Sequence, residues 1–200
     1  MSDLRIRVLI GGQSRQYLDA VAALRIAVFR HYPYLYDGDL AYEANYLRVY
    51  AESARSVFVL AQDGDRIVGA SSGIPLQDDG PAFQQPFLQR GMNVSRVFYF
   101  GESVLLPNYR GRGIGHAFFD AREAHARGLQ CYDWTAFAAV ERSPDDPRRP
   151  AGHRDNDTFW IKRGYQPQAD MRMNLAWKEL GEPQESEKPL QFWLRRLESH

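Results

Sequence analysis

Two hundred residues carry 25 basic and 25 acidic side chains, for a formal charge of zero. A neutral, interspersed chain of this length can bury one core, and it lacks the basic face that a nucleic-acid partner requires. A single cysteine, Cys131, excludes a disulfide framework, no apolar run is long enough for a membrane span, and no secretion-type apolar core follows Met1, so the expectation is a cytoplasmic protein with no membrane partner.

Leu4 to Ile10 alternates apolar residues (Leu4, Ile6, Val8, Ile10) with Arg5 and Arg7, which predicts a half-buried strand closed by Gly11-Gly12. Tyr17, Val21, Leu24 and Val28 recur at helical spacing, and Pro33 stops that helix. Tyr32, Tyr34, Tyr36, Asp37 and Asp39 then form an aromatic and acidic loop. A second helix is expected from Leu40 to about Ser53, with Tyr42, Tyr46 and Tyr50 along one face, a stripe read as helix packing. Val57 to Ala61 and Ile67 to Ser72 are strand-like, and Asp63-Gly64 between them signals a hairpin. Gln77 to Ser95 is polar, carries Gly80-Pro81 and Gln85-Pro86, and reads as an irregular loop. Val97 to Leu106 is apolar on both parities except for Gly101, Glu102 and Ser103, as expected of a central strand covered on both faces.

Pro107-Asn108 ends that strand, and Arg110-Gly111-Arg112-Gly113-Ile114-Gly115 follows. Alternate glycines let the backbone turn tightly and approach a ligand closely. The next segment reads as a helix, with Ile114, Ala117, Phe118, Ala121 and His125 inward and His116, Asp120, Glu123 and Arg127 outward, stopped by Gly128. The loop therefore presents unpaired N–H groups at a helix N-terminus, an anion site suited to phosphate. Tyr132 to Val140 reads as a buried strand, Ser143 to Asp155 as a loop, and Asn156 to Lys162 as a short helix ended by Arg163-Gly164. Met171 to Trp177 reads as a late strand. A last helix is expected after Pro189, with Leu190, Trp193, Leu194 and Leu197 at i, i+3, i+4 and i+7, either docked on its own core or forming a dimer contact. No boundary interrupts the chain, so 1–200 reads as one domain in which 181–200 is a linker and an amphipathic helix.

A dinucleotide fold requires G-x-G-x-x-G after the first strand of its unit, yet here His116 stands where the third glycine belongs and the loop follows the fourth strand. A P-loop requires Gly-Lys followed by Ser or Thr, a triplet this chain lacks. Pro107 followed by R-x-x-G-x-G (Arg110, Gly113, Gly115), the downstream Phe159-Trp160-Ile161-Lys162-Arg163-Gly164-Tyr165, and the order of elements from Leu4 to Trp177 resemble the GNAT superfamily of acyl-CoA-dependent N-acetyltransferases. The resemblance implies an α/β (α+β) fold: a mixed, mostly antiparallel sheet of about six to seven strands, flanked by helices and splayed at the acetyl-CoA site. It implies acetyl-CoA as acyl donor. The stretch Arg110, Gly111, Arg112, Gly113, Ile114, Gly115 and His116 would hold the pyrophosphate through its N–H groups, and Val104, Leu105 and Leu106 would pair with the pantetheine arm.

Transfer of an acetyl group from a thioester to an amine requires that the amine lose a proton, that the oxyanion meet a donor and that the thiolate be protonated. Glu102, the only charge in an apolar strand, is the expected base, with a structural ion pair (for instance with Arg96) as its other reading. Glu141, ending the next strand, is the second candidate. Leu105 N–H would be the oxyanion donor. The resemblance places Trp160 where many members carry a tyrosine acid, so Trp160 is expected against the core or the pantetheine, and Tyr165 or water would protonate the sulfur. Cys131 reads as a core residue. His116 could touch phosphate or sit in solvent. His31, His116, His125 and His153 lack metal-ligand spacing, so no metal is expected. The resemblance builds the acceptor pocket from the first two helices and the region after the fifth strand. Here those supply Tyr32, Tyr34, Tyr36, Asp37 and Asp39, then Arg148, Arg149, His153 and Arg154, a set suited to an amine that also bears an acid. The expected partner is thus a small-molecule or peptide amine, and the chain is a monomer or homodimer. A non-catalytic acyl-CoA-binding module and a nucleotide-dependent enzyme are the alternatives.

Overall fold

The Asp63-Gly64 turn, with Gly64 in the left-handed region at φ 60°, closes a hairpin of β2 (Val57–Asp63) and β3 (Arg66–Pro75) that starts the sheet. A computed structural model describes residues 3–198, and the ends of the 1–200 span lie outside the described residues. Strands run in the order β1 (Leu4–Ile10), β2, β3, β4 (Val97–Tyr99), β6 (Trp134–Val140), β8 (Ser186–Arg196), β7 (Gln166–Trp177), and β5 (Ser103–Leu105) pairs separately with β3. The outer members are β1 (Leu4–Ile10) and β7 (Gln166–Trp177); β6 (Trp134–Val140) and β8 (Ser186–Arg196) lie inside. Among the described residues only β4 (Val97–Tyr99) and β6 are parallel neighbours, so the sheet is mixed and mostly antiparallel, with eight strands rather than six or seven.

Helices α1 (Leu18–Phe29) and α2 (Leu40–Glu52) cover one face through Val21, Leu24, Leu47 and Tyr50, all buried against Phe58, Leu60 and Ile74. The opposite face carries α4 (Ile114–Gly128), whose Phe118 and Phe119 join Val57, Val59, Phe98 and Tyr165 in a second core. The short α5 (Asp157–Lys162) sits beside α4 and ends at Gly164, φ 85°. Among the described residues no helix is long and apolar enough to cross a membrane.

Four sequence expectations need correction. Gln77 to Ser95 is not an irregular loop: Pro81 opens α3 (Pro81–Gln89) at its first turn, where its missing N–H costs nothing. Pro86 removes one interior bond, but the helix persists because Phe83 and Phe87, four apart, pack on Tyr99 and Phe192 with ring centroids 5.3 and 5.0 Å apart. The C-terminal stripe is strand β8, not a helix. Leu190, Phe192 and Leu194 face one core and Trp193 the other, and a strand covered on both faces by neighbours at its two edges can be apolar on both parities, which imitates helical spacing. In β1 the buried residue is Leu9, while Ile6, Val8 and Ile10 are 40, 48 and 45 % exposed, because α4 packs over β2 and β3 and stops short of the edge. The long strand Val97 to Leu106 is two strands, β4 and β5 (Ser103–Leu105), broken at Phe100 to Glu102.

Candidate functional site

That break positions the site. β4 pairs with both β3 and β6, whereas β5 keeps only β3, so the sheet opens between β5 and the second half of β6. Leu106 N–H donates to Val68 O at 2.9 Å. Alternation along the strand then turns Val104 toward β3 and Leu105 toward the gap. Of the three residues expected to face a pantetheine arm, Leu105 alone has its main-chain groups on the open side, and its carbonyl accepts from Arg110 Nε at 3.4 Å.

Beyond β5 the chain makes one tight turn, Pro107–Tyr109, and reaches the glycine loop. Gly111 and Gly113 lie at φ 74° and 79°, a backbone region that L side chains rarely adopt, and no atom lies within 4 Å of where their Cβ would stand. Gly113 is the N-cap of α4, and no side chain caps it. The first N–H to find a helical carbonyl is that of Ala117, on Gly113 O at 3.1 Å, so the N–H groups of Ile114, Gly115 and His116 have no partner within the helix. This open N-terminus fits a phosphate group. Arg112 lies 5.0 Å above the Tyr109 ring, while the His116 side chain turns instead to Phe159, at 4.9 Å, and to Arg163.

Across the sheet, on the α1 and α2 side, lies a cavity of about 100 Å³. Gly101 and Glu102 line it from the break and Ala138 lines it from β6, so it meets the gap. Its walls are largely aromatic: Phe29, Tyr34, Tyr36, Tyr42, Tyr46, Phe83, Tyr99 and Trp177. The Glu102 side chain is 1 % exposed and faces this space, paired not with Arg96, which binds Asp133, but with Arg25 Nη1 at 2.7 Å. Arg25 Nε bonds Glu43 as well. One guanidinium thus serves two buried carboxylates, and Oε1 of each carboxylate makes no hydrogen bond. Burial pushes the Glu102 carboxyl above its ordinary value despite the opposing pull of Arg25 and the Ser72 hydroxyl. Burial likewise raises Tyr46, and it raises the neighbouring Asp79 to about 6.

Arg122 connects the two sides. It is fully buried on α4, its guanidinium 4.2 and 4.7 Å from the Phe100 and Phe119 rings. Nη1 donates to the carbonyls of Ser72 at 3.2 Å and Glu102 at 3.1 Å, and Nη2 donates to Ser103 Oγ at 2.9 Å. Desolvation lowers its pKa to about 10, which leaves it charged at neutral pH.

Of the expected acceptor residues, Tyr34 and Tyr36 line the cavity. Tyr32 stacks edge-on against His153 at 4.8 Å, outside the lining. Asp39 caps α2 by accepting from Tyr42 N at 2.8 Å, and Asp37 is paired with Lys178 at 2.8 Å. Arg148 binds Asp146 and Glu179, Arg149 and His153 bind Asp155, and neither these three nor Arg154 reaches the cavity. Glu141 is not at the cavity either: it is held at the surface by Arg172 at 2.7 Å. Trp160 packs on Phe137 and Trp193, at 4.9 and 5.0 Å. The Tyr165 hydroxyl is buried between Glu123 and Thr135 on the α4 face. The Tyr42/Tyr46/Tyr50 stripe does more than pack, since Tyr42 and Tyr46 are cavity wall.

Arg25 and Glu43 went unread in the sequence, as did burial of Glu123, which the helical pattern places outside. A signal existed: Arg25 stands i+4 from Val21 in the stripe Val21, Leu24, Val28, and Glu43 stands i−4 from Leu47 and i−7 from Tyr50. A charge inside an apolar helical stripe must find a buried partner.

The sequence profile of the acetyltransferase (GNAT) family matches residues 21–151. Among solved structures, yncA from Salmonella typhimurium, determined with its cofactor acetyl-CoA, is 12 % identical, with 98 % of this chain and 95 % of that chain covered and a TM-score of 0.60. An N-acetyltransferase from Staphylococcus aureus Mu50 is 11 % identical over 98 and 100 % of the two chains, TM-score 0.62. A ribosomal-protein-alanine N-acetyltransferase from Brucella melitensis is 15 % identical over 96 and 99 %, TM-score 0.60. No curated protein matches the chain by sequence.

Proposed function

The chain belongs to the acetyltransferase (GNAT) family, and on that premise we propose that it transfers an acetyl group from acetyl-CoA to a primary amine by direct attack on the thioester, residues 1–200 acting as one domain. The observation that carries this reading is the buried Glu102 carboxylate facing a cavity at the gap where β5 leaves β6.

Bound acetyl-CoA supplies the activated acetyl group. The N–H groups of Ile114, Gly115 and His116 receive its diphosphate, where the helix dipole and orphan donors favour negative charge. Leu105 aligns the arm through its main chain, and its N–H stands ready for the oxyanion. Glu102 removes a proton from the acceptor ammonium, and its raised pKa brings it closer to neutrality, where a base works best. The Tyr165 hydroxyl is occupied and Trp160 is packed away, so the thiolate takes its proton from water.

Release of free thiol from acetyl-CoA in the presence of a panel of amines tests the assignment. Tight acetyl-CoA binding without turnover on any amine would make the protein a binding module, a reading that the absent tyrosine at Trp160 favours. Thermal stabilisation by NAD or ATP alone, and not by acetyl-CoA, would replace the reading altogether.

A further inference from the structure

The acceptor cavity has a charge arrangement of its own. Among the described residues that line it, Arg25 is the one cation and Glu43 and Glu102 are the two anions. Arg25 satisfies one oxygen of each, and Oε1 of both Glu43 and Glu102 is left buried without a hydrogen bond. A buried charged oxygen with no partner is costly, so two of them in one cavity define what belongs there: a group with several N–H donors and a single positive charge. The aromatic walls suit the same group, since a cation is attracted to ring faces and an apolar body to the space between them. A carboxylate on the acceptor would meet only the two glutamates, because the lining offers no second cation.

We propose that the acceptor is a small primary monoamine with an apolar or aromatic body and no carboxylate, its ammonium bound between Oε1 of Glu43 and Oε1 of Glu102. This rests on the transferase reading above and narrows it, excluding amino acids as preferred substrates. Glu43 is then a specificity residue: it touches the acceptor but removes no proton. In the transfer step Glu102 takes one proton from the bound ammonium, the neutral amine nitrogen forms the new C–N bond at the thioester carbon, the C–S bond breaks, the nitrogen gives up its second proton to solvent, and the thiolate takes a proton from solvent while Glu102 later releases its own.

Pairs of acceptors that differ by one carboxylate test the proposal: 2-phenylethylamine against phenylalanine, and isopentylamine against leucine. The expected result is a kcat/KM at least tenfold higher for each amine. Calorimetric titration with no acetyl donor present should show 2-phenylethylamine binding, and 2-phenylethanol, which lacks the ammonium, binding at least tenfold more weakly. Glu43→Gln should weaken amine binding about tenfold and leave acetyl-CoA binding unchanged. Equal or better turnover of phenylalanine or leucine would overturn the proposal, and so would equal binding of the alcohol. Amine binding without thiol release would refute the transferase reading while supporting this one, and turnover confined to carboxylate-bearing amines would do the reverse. Should Glu43→Gln fail to fold, the acceptor pairs on the unaltered protein still decide.

Discussion

Two ionic clusters are buried on opposite faces of the sheet. On the α4 side both oxygens of Glu123 are engaged: Arg195 at 2.8 Å, Arg163 at 3.1 Å and Arg127 at 3.4 Å reach Oε2, and the Tyr165 hydroxyl reaches Oε1 at 3.2 Å. On the α1 and α2 side one arginine is shared by two carboxylates, with an oxygen of each left over and a cavity in front. In the first cluster both oxygens of the anion are engaged by side chains of three elements, so it ties α4, α5 and β8 together. The second leaves one oxygen of each carboxylate without a hydrogen bond and borders a cavity, which is what the proposed acceptor would complete. Burial alone does not separate a structural charge from a functional one. The hydrogen bonds still owed, and the room to receive them, do.

The sharpest way to break this contrast is Glu102→Gln. Loss of a general base should lower turnover about 10²- to 10⁴-fold, with acetyl-CoA affinity unchanged. In the unaltered protein the rate should rise with pH, with a midpoint above the ordinary glutamate value because burial raises the Glu102 carboxyl. An unaltered rate in the variant would make the open cluster as structural as the closed one.

Glu123→Ala reverses the test on the other face. It takes the buried carboxylate from Arg195, which is 28 % exposed, and from Arg163, which keeps Asp120, and should cost about 1–3 kcal/mol of unfolding free energy, read by urea titration. A loss below about 1 kcal/mol would mean that those arginines find water.

Asp79, buried near the open cluster, is next in size. Its folded pKa of about 6 lies above its ordinary 3.8, so the folded state holds its proton more tightly than the unfolded chain does. Stability contributed by that proton is full below about pH 4 and is lost as pH rises through about 6. Asp79→Asn should therefore raise stability by up to about 3 kcal/mol at pH 8 and by nothing near pH 4. A gain that does not depend on pH would refute the cause.

The smallest effect belongs to the glycine loop that α4 carries. Gly113→Ala at φ 79° should cost about 1–2 kcal/mol and weaken acetyl-CoA about tenfold. Gly115→Ala, with its nearest neighbour Phe159 Cζ at 3.8 Å, should leave the fold intact. Equal effects of the two substitutions on Tm would show that backbone strain is not what Gly113 relieves.

What could be read from the sequence follows the same division. The main-chain site proposed for the diphosphate is contiguous, so the open helix N-terminus behind R-x-x-G-x-G is legible within a few residues. The β2–β3 hairpin is equally local. The proposed side-chain site gathers residues 25, 43 and 102 from three places in the chain, and of these only Glu102 stands out in the sequence, because it interrupts an apolar stretch. Arg25 and Glu43 sit in stripes whose other members are apolar, and the helical pattern accommodated them without comment. The acids and arginines chosen for the acceptor instead came from loops, where charges pair with one another at the surface, as Arg149 does with Asp155. β8 resembles a helix in sequence for a related reason: once both faces of a strand are covered, alternation disappears and spacing no longer distinguishes it from a helix.

Arg122 joins α4 to the break in the sheet. Its guanidinium, wedged between two phenyl rings, grips from α4 the carbonyl of the residue proposed as base. One buried guanidinium thus couples the helix that follows the glycine loop to the break in the sheet, a tie that a loop of glycines could not have supplied.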